Sequence, residues 1–371
     1  MLKLSGLIDP HVHLRTPGQT QKEDFFTGTS AALAGGFTTV IDMPNNAVPV
    51  TTNELLEMKM ETAKKQTVCD IGFYFGSLGD NLEEFEKVKD KVFGLKLYLN
   101  VTTGNYIIDE KVFEKICIAW HSVKRMTPPL SKGAGAIPIL VHAEEDILES
   151  ILIIANKYDQ KIHVCHVSSE KELAIVLNAK QKGWKVTCGV TPHHLLLSAD
   201  TPGESWLPFR SSLLPRGWMN SVKPTLKHKS EVNFLWEHLK DIDVIESDHA
   251  PHTIEDKHNG DFGFPGLETT LPLLLTAMHQ GKLSIEEITR LCHDNPAKIF
   301  GISNDPHTFI EIDEDQEWTI KNKDLKTKCH WSPFNGWKVK GKVKRVFIRG
   351  TKVFENDTIL AKPGSGSILR A

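Results

Sequence analysis

The chain has 371 residues, 40% of them hydrophobic, and a formal net charge of -3, which suits one large α/β barrel with a small addition. The small net charge and the lack of a basic stripe with interleaved aromatic residues argue against nucleic acid or an anionic membrane surface as the partner. The sequence has no signal peptide and no apolar run of roughly 18 residues, and its scattered cysteines indicate reduced thiols, so we expect a cytoplasmic protein.

Apolar, strand-like runs alternate with segments of helical periodicity, a pattern typical of parallel strands joined by crossover helices. The predicted strands are 4–14, 37–43, 69–76, 94–100, 137–144, 161–167, 184–190 and 243–252. The predicted helices are about 23–34, 53–65, 82–91, 109–124, 145–158, 169–182, 230–239 and 266–300. These units predict a (β/α)8 TIM barrel over residues 6–304, with its active site at the C-terminal ends of the strands.

The pattern changes after about residue 305 to short β runs. They predict a small β appendage formed by residues 305–371 and closed by residues 1–5. Two stretches, 127–136 and 198–228, are predicted as loops, and the length of the second indicates a functional role. A strand that begins so near residue 1, together with a Pro-Gly-Ser-Gly-Ser tail, predicts a domain excised from a longer chain.

The first strand ends in His11-Val12-His13. Side chains alternate along a strand, so His11 and His13 point to the same side. Two imidazoles on one side of a strand end can bind one metal ion, although two core histidines would give the same pattern.

Residue types that bind metals also end several later strands, and these ends would meet at one barrel mouth. They are Lys96, His142, His166 and Asp248. The sixth strand carries both His163 and His166, which lie on opposite sides by alternation, so only one of the two should face the centre. The position at the strand end favours His166.

Lys96 allows two interpretations. A buried ammonium group needs a partner, and a salt bridge to a barrel acid would supply one. Alternatively, the neutral amine captures CO₂ and becomes a carbamate, an anion whose two oxygens can bridge two metal ions. With four histidines and Asp248 nearby, the carbamate fits the charge better. Imidazole-rich ligands favour zinc, with Co, Mn and Fe as alternatives, and two such ions would share a bridging hydroxide while Asp248 handles the proton.

These residues lie in motifs that run in order along nearly the whole chain. The motifs are Gly6–Arg15, Met43–Asn45, Gly94–Asn100, Val141–Glu144, His163–His166, Thr191–Leu195, Ser247–His252 and Phe264–Glu268. Together they resemble the motifs of the dihydroorotases in the amidohydrolase superfamily. The closest resemblance is to the dihydroorotase domain of the multifunctional pyrimidine-synthesis polypeptide of animals.

The resemblance implies a zinc enzyme that interconverts N-carbamoyl-L-aspartate and L-dihydroorotate. It implies two Zn²⁺ ions per chain, bridged by carboxylated Lys96 and hydroxide, with Asp248 as the catalytic residue. The implied metal ligands are His11, His13, Lys96, His142, His166 and Asp248. The implied substrate contacts are Arg15, Asn45, Thr102, Lys223, His252 and Gly266. It also implies a homodimer, with carbamoyl-phosphate synthetase and aspartate transcarbamoylase domains as neighbours in a multienzyme.

Arg15 and Asn45 can also be interpreted without reference to the family. A guanidinium two residues beyond the metal pair can hold a carboxylate through two parallel hydrogen bonds and so orient a ring amide over the metals. On local grounds alone, Arg15 would be a surface charge and Asn45 part of a turn after Pro44.

Three positions depart from the family pattern. Gly189 stands where animal members have a Glu that helps to hold a third metal, which argues against a third ion here. Lys223 stands where the family has a second substrate-binding Arg, and Thr103 stands where a lid Phe is common. The departures leave open a weak or inactive scaffold domain. A separate alternative is another cyclic amidase of the hydantoinase or allantoinase type, which would share the metal ligands.

Overall fold

A computed structural model describes residues 1–102, 106–123, 137–200 and 222–371. The predicted loop at 127–136 lies outside the described residues, and so do Thr103 and the central part, 201–221, of the predicted loop at 198–228. Among the helices that the structure describes, none has the length and apolar character needed to cross a membrane.

The elements follow one another largely as the sequence predicts. The strands are β1 (Leu2–Ser5), β2 (Leu7–Val12), β3 (Phe37–Asp42), β4 (Asp70–Phe73), β5 (Phe75–Gly76), β6 (Leu95–Tyr98), β7 (Ile139–His142), β8 (Ile162–Val164), β9 (Val186–Val190), β10 (Val244–Ile245), β11 (Phe309–Thr319), β12 (Lys338–Ile348), β13 (Thr351–Glu355) and β14 (Thr358–Ile359). The helices are α1 (Phe25–Ala34), α2 (Asn53–Gln66), α3 (Phe85–Val88), α4 (Glu110–Ser122), α5 (Glu145–Lys157), α6 (Glu170–Gln181), α7 (Pro192–Leu196), α8 (Lys229–Glu237), α9 (Ile254–His258), α10 (Leu267–His279), α11 (Ile285–Thr289) and α12 (Asn295–Phe300).

Parallel strands β2 to β10 form the barrel. One sheet has the order β2-β3-β4 and the other β10-β9-β8-β7-β6-β5, and only Tyr74 separates β4 from β5. The ring closes where Val12 pairs with His249 and the His13 amide donates to the His249 carbonyl at 2.8 Å. Buried Asp9 accepts from the amides of His11 and Ser247 across the same seam. The prediction of a (β/α)8 barrel is therefore confirmed.

The barrel strands are short and buried on both faces, and several of the helices that follow them begin at side-chain caps. Asp24 forms a capping box with Thr27, and Ser169 accepts from the amide of Glu172. These caps satisfy amides that have no partner inside the helix, which fixes where each helix leaves the barrel mouth.

Some boundaries differ from the sequence predictions. The eighth barrel strand was expected over 243–252, but β10 contains only Val244 and Ile245. Beyond Ile245 the amide of Ser247 is bound by Asp9, and Asp248 takes a left-handed φ of 44°, so the strand does not continue. Most of the Thr191–Leu195 motif forms the short helix α7, with Thr191 as its N-cap. The β runs predicted at 309–312 and 317–320 are one long strand, β11, with an irregularity between Asp313 and Glu317.

The appendage is an antiparallel sheet with the order β1-β11-β12-β13-β14. Its core is continuous with that of the barrel, and two buried barrel carboxylates bind the loop that precedes β12. Glu268 accepts from the amides of Lys326 and Thr327, and Glu23 accepts from the amide of Lys328. The exact domain division at residues 304 and 305 stays a prediction.

A buried ion pair links α2 to the ends of β2 and β3. Lys59 Nζ lies 2.7 Å from Asp42 Oδ2, and both side chains are 1% exposed. Nζ also donates to the Met43 carbonyl, while Asp42 Oδ1 accepts from the amide of Leu14. This pair holds the two strand ends that carry His13 and Asn45.

We expect Lys59→Met to lower the free energy of unfolding by about 3–5 kcal/mol, because it leaves Asp42 buried without its counter-ion. Denaturant unfolding measures this change. The matched control is Lys91→Met, which removes the half-exposed Lys91–Glu57 pair and should cost less than about 1 kcal/mol. Equal losses in the two variants would contradict the role given to the buried pair.

Candidate metal centre

Three of the predicted metal ligands meet at the closing seam of the barrel. His11 Nε2 lies 3.2 Å and His13 Nε2 lies 3.1 Å from the same Asp248 oxygen, Oδ1. Val12, between the two histidines, is fully buried in the core, so strand alternation places both imidazoles on the mouth side.

Two further histidines lie across the mouth. His142 ends β7, and its Nδ1 is 3.0 Å from His166 Nε2. The ring centres of His11 and His166 are 5.3 Å apart, and ligand atoms of His11, His166 and Asp248 lie within 4.8 Å of one another. The structure thus brings together all the imidazoles that the sequence assigned to the metal centre.

Lys96 lies on β6 with its side chain directed into this cluster. It is 1% exposed, and its Nζ lies 3.1 Å from Cys165 Sγ. Among the described residues, no carboxylate lies within the 4 Å of Nζ that a salt bridge requires. A buried amine without a counter-ion is costly, and conversion to a carbamate would replace that unpaired cation by a metal-binding anion.

Left-handed backbone conformations recur at the mouth. Arg15, His166 and Asp248 have φ values of 59°, 40° and 44°, which are uncommon for residues other than glycine and often mark functional sites. At His166 the conformation overrides simple alternation, because β8 has already ended at Val164. His163 also faces the interior, with Nε2 3.5 Å from Glu246 Oε2, so the expectation that only one of the two histidines faces the centre was wrong.

The donor set fits metal ions. His166 Nδ1 is buried and has no hydrogen-bond partner among the described residues. His11 Nδ1 and His142 Nε2 have only long contacts, 3.4 Å to a Glu246 oxygen and 3.7 Å to a Glu144 oxygen. Buried nitrogens this poorly satisfied point to a missing ligand. Burial holds the pKa of His166 well below its usual value, so the ring is neutral and can bind a cation. Burial opposes charge on His11 too, but Asp248 and Glu246 raise its pKa to about 10. A positive charge therefore belongs between these two carboxylates, and a metal ion would supply it.

Glu246 is a member of this cluster that the sequence analysis missed. Its Oε1 accepts from the amide of His166 at 2.5 Å, and its Oε2 lies 3.4 Å from His11 Nδ1. Ligand atoms of His11, Cys165 and Glu246 form a second group within 4.8 Å. Glu246 and Asp248 share the same side of a strand by alternation, and this was the signal that could have identified Glu246.

Glu246 also explains Gly189. A Cβ atom on Gly189 would lie 2.6 Å from Glu246 Cδ. The carboxylate of Glu246, which follows β10, therefore fills the space that a side chain at position 189 of β9 would need. A larger residue at position 189 would displace this carboxylate from His11 and His166.

Two predicted substrate contacts lie beside the metal ligands. The Arg15 side chain is buried, donates from Nε to the Pro251 carbonyl at 3.1 Å and contacts His252 Nε2 through NH2 at 2.8 Å. Asn45 Oδ1 is 2.7 Å from His13 Nδ1, so its oxygen accepts there and leaves His13 Nε2 for Asp248. Asn45 is thus a partner of a metal ligand in addition to its predicted role.

The other predicted substrate contacts lie farther from the cluster or have other partners. Thr102 is half-buried at the edge of the described residues, and Lys223 Nζ lies 5.2 Å from the Phe262 ring centre. The amide of Gly266 donates to His249 Nδ1, and a Cβ atom there would lie 2.8 Å from the Ser247 carbonyl oxygen. Roles for these residues in substrate binding stay predictions.

We expect Gly189→Ala to weaken metal binding by about 10- to 100-fold, because the added methyl group displaces the carboxylate that orients His11. Chelator competition and metal analysis measure the effect. Gly76→Ala is the matched control, since its Cβ atom would meet its nearest neighbour at 3.4 Å, an ordinary contact. Unchanged metal affinity in Gly189→Ala would exclude a role for Glu246 in holding the metal ligands.

The sequence matches the amidohydrolase family over residues 2–353. It is 39% identical over 373 residues to the multifunctional protein CAD of Squalus acanthias, covering 100% of this chain and 16% of that protein. It is 37% identical over 377 residues to the dihydroorotase of Pyrococcus abyssi, covering 99% of this chain and 87% of that protein. The chain therefore spans only a small part of the multifunctional relative but most of the archaeal one.

Solved structures support the same placement. L-hydantoinase (dihydropyrimidinase) from Arthrobacter aurescens has a TM-score of 0.87 at 24% identity, covering 99% of this chain and 88% of that one. The inactive dihydroorotase-like domain of the Chaetomium thermophilum CAD-like multifunctional protein has a TM-score of 0.79 at 26% identity, with 99% and 98% covered. The chain belongs to the amidohydrolase family and, within it, to the dihydroorotase group.

Proposed function

We propose that the protein is a zinc-dependent dihydroorotase that interconverts N-carbamoyl-L-aspartate and L-dihydroorotate in pyrimidine synthesis. The observation that carries this proposal is the state of Arg15. Its guanidinium is 4% exposed beside the metal ligands, and no carboxylate of the described residues lies within 4 Å of it. A buried cation without a counter-ion calls for an anionic ligand, and both compounds bring a carboxylate.

The metal ligands proposed are His11, His13, carboxylated Lys96, His142, His166 and Asp248. Two zinc ions held there would polarise the scissile carbonyl and activate water. Arg15 binds the substrate carboxylate, while His252 accepts from its guanidinium and orients it, and so the ring amide is held over the metal ligands. In hydrolysis, Asp248 accepts a proton from the attacking water and gives it to the ring nitrogen as the amide C–N bond breaks. Synthesis follows the same path in reverse.

Asp248 is suited to this task. Burial alone would raise its pKa, but the adjacent His11 and His13 hold that pKa well below its usual range. The carboxylate is therefore ionised and able to bind a cation.

Two other functions remain as alternatives to test. Similarity to an inactive dihydroorotase-like domain favours a scaffold, but the complete set of buried ligands supports catalysis. Another cyclic amidase would act on substrates without a carboxylate, which would leave Arg15 unpaired. A panel of L-dihydroorotate, hydantoin and allantoin separates these outcomes, and a fully metal-loaded protein without turnover in either direction would refute the enzyme.

The proposal extends to the assembly. Because the chain resembles part of a multifunctional protein, we place it beside carbamoyl-phosphate synthetase and aspartate transcarbamoylase domains, and we propose a homodimer. Light scattering of the purified chain gives its mass and tests the dimer, and a monomer at all concentrations would exclude it.

Replacing Lys96 by Ala removes the proposed bridging ligand. We expect hydrolysis of L-dihydroorotate to fall by about 10³-fold and bound zinc to fall below two ions per chain. The control, Lys185→Ala, removes an exposed lysine paired with Asp159 and should retain full activity. A wild-type rate in Lys96→Ala would refute the carbamate.

Replacing Arg15 by Gln removes the proposed carboxylate-binding cation. We expect KM for L-dihydroorotate to rise by about 10- to 100-fold, because a charge-assisted pair is lost, while bound metal stays unchanged. Steady-state kinetics with metal analysis checks both parts. An unchanged KM would show that the carboxylate is held elsewhere.

A further inference from the structure

A network of charged side chains lies behind Arg15, on the side away from the metal ligands. Arg15 NH2 contacts His252 Nε2 at 2.8 Å, and His252 Nδ1 lies 3.1 Å from Asp261 Oδ2. Lys22 Nζ donates to the same Asp261 oxygen at 2.6 Å. Neither Lys22 nor Asp261 belongs to any motif that the sequence analysis singled out.

Hydrogen-bonding capacity fixes the tautomer of His252. A guanidinium can only donate, so Nε2 must accept from Arg15. Burial, with the charges of Arg15 and Lys22, lowers the pKa of His252 to about 3, so the ring is neutral and carries its one proton on Nδ1. That N–H needs an acceptor, and Asp261 Oδ2 supplies one, whereas the Lys22 ammonium at 3.1 Å can only donate.

The segment that carries Asp261 is itself held in place. Lys257 is 3% exposed, and its Nζ donates to the carbonyls of Asp261 and Gly263. The next residue, Phe262, lies under Lys223 Nζ at 5.2 Å. Trp331 of the appendage donates from Nε1 to the His252 carbonyl at 2.7 Å. One short segment thus contacts Lys223 directly, through Phe262, and is linked to Arg15 through His252.

We propose that Asp261, anchored by Lys22, is a positioning residue for substrate-carboxylate binding: it fixes His252 in the tautomer that accepts from Arg15 and thereby aims the guanidinium at the mouth. In the contacts that the structure describes, Asp261 reaches Arg15 only through His252, so it acts through that ring. This inference rests on the proposed function, since it assumes a substrate with a carboxylate. Asp261 would therefore affect the affinity for the substrate carboxylate, and its replacement would leave metal binding unchanged.

The test compares Asp261→Leu, which removes the acceptor for His252 Nδ1, with wild-type enzyme on L-dihydroorotate and on orotate, a dehydro analogue that keeps the carboxylate. We expect KM for the first and Kd for the second to rise by about 5- to 20-fold, with kcat within about threefold of wild type and zinc content unchanged. Asp357→Asn is the matched control, because it removes a 2.6 Å pair with Lys342 on the appendage and should change none of these.

Lys22→Met guards against misfolding of the first variant, because it leaves Asp261 in place but removes its second anchor. It should raise KM and Kd in the same direction. Values within twofold of wild type in Asp261→Leu, or an equal fall in kcat with lost zinc, would overturn the inference while wild-type activity upholds the proposed function. A wild-type protein that binds orotate without turnover would refute catalysis, and Kd would still decide the role of Asp261. A wild-type protein that binds no orotate would refute both.

Discussion

The mouth of the barrel holds imidazoles, an amine and carboxylates almost without water, and such groups are stable there only when each finds a counter-charge or a hydrogen bond. Within the cluster this requirement is incompletely met by protein atoms alone. Among the described residues, one nitrogen of His166 has no partner, one nitrogen each of His11 and His142 has only a long contact with a carboxylate, and Lys96 has sulfur as its neighbour. Cations between these groups would satisfy the nitrogens and the carboxylates together, so metal binding and the stability of the mouth are coupled.

The same requirement divides the mouth into a region that favours a bound cation and a region that favours a bound anion. Around Asp248, anionic and neutral ligands favour a bound cation, whereas around Arg15 the charge is positive and favours a bound anion. Asn45 lies between them and accepts from His13. A ring compound with an amide over the first region and a carboxylate in the second would complement both. In such a complex, the region around Asp248 would polarise the amide, and the region around Arg15 would orient the ring.

The sequence predicted the barrel because strands buried on both faces appear as continuous apolar runs that end at polar residues. For the same reason it predicted His11, His13, His142 and Asp248, which end such runs. It could not predict contacts that depend on which segments meet after folding. Asp261 reaches Lys22, 239 positions earlier in the chain, from an irregular segment without periodicity. Alternation failed at His166 because β8 ends at Val164, so the residues beyond it no longer alternate, and His163 and His166 both face the interior.

Gly189 shows that a departure from a family pattern should be judged by where the charged groups lie in the folded chain and not only by the residue type at one position. The resemblance implies a carboxylate on the seventh barrel strand, and its loss would suggest a decaying site. In the folded chain, however, the carboxylate of Glu246 occupies the space that a side chain at position 189 would need. A decaying site would lose the charge and leave a cavity or a small apolar filling. Here glycine makes room for the acid that follows the adjacent strand, and the acid keeps His11 between two carboxylates. The absence of a side chain at Gly189 is therefore part of how this mouth keeps its negative charge, and it supports an intact metal centre.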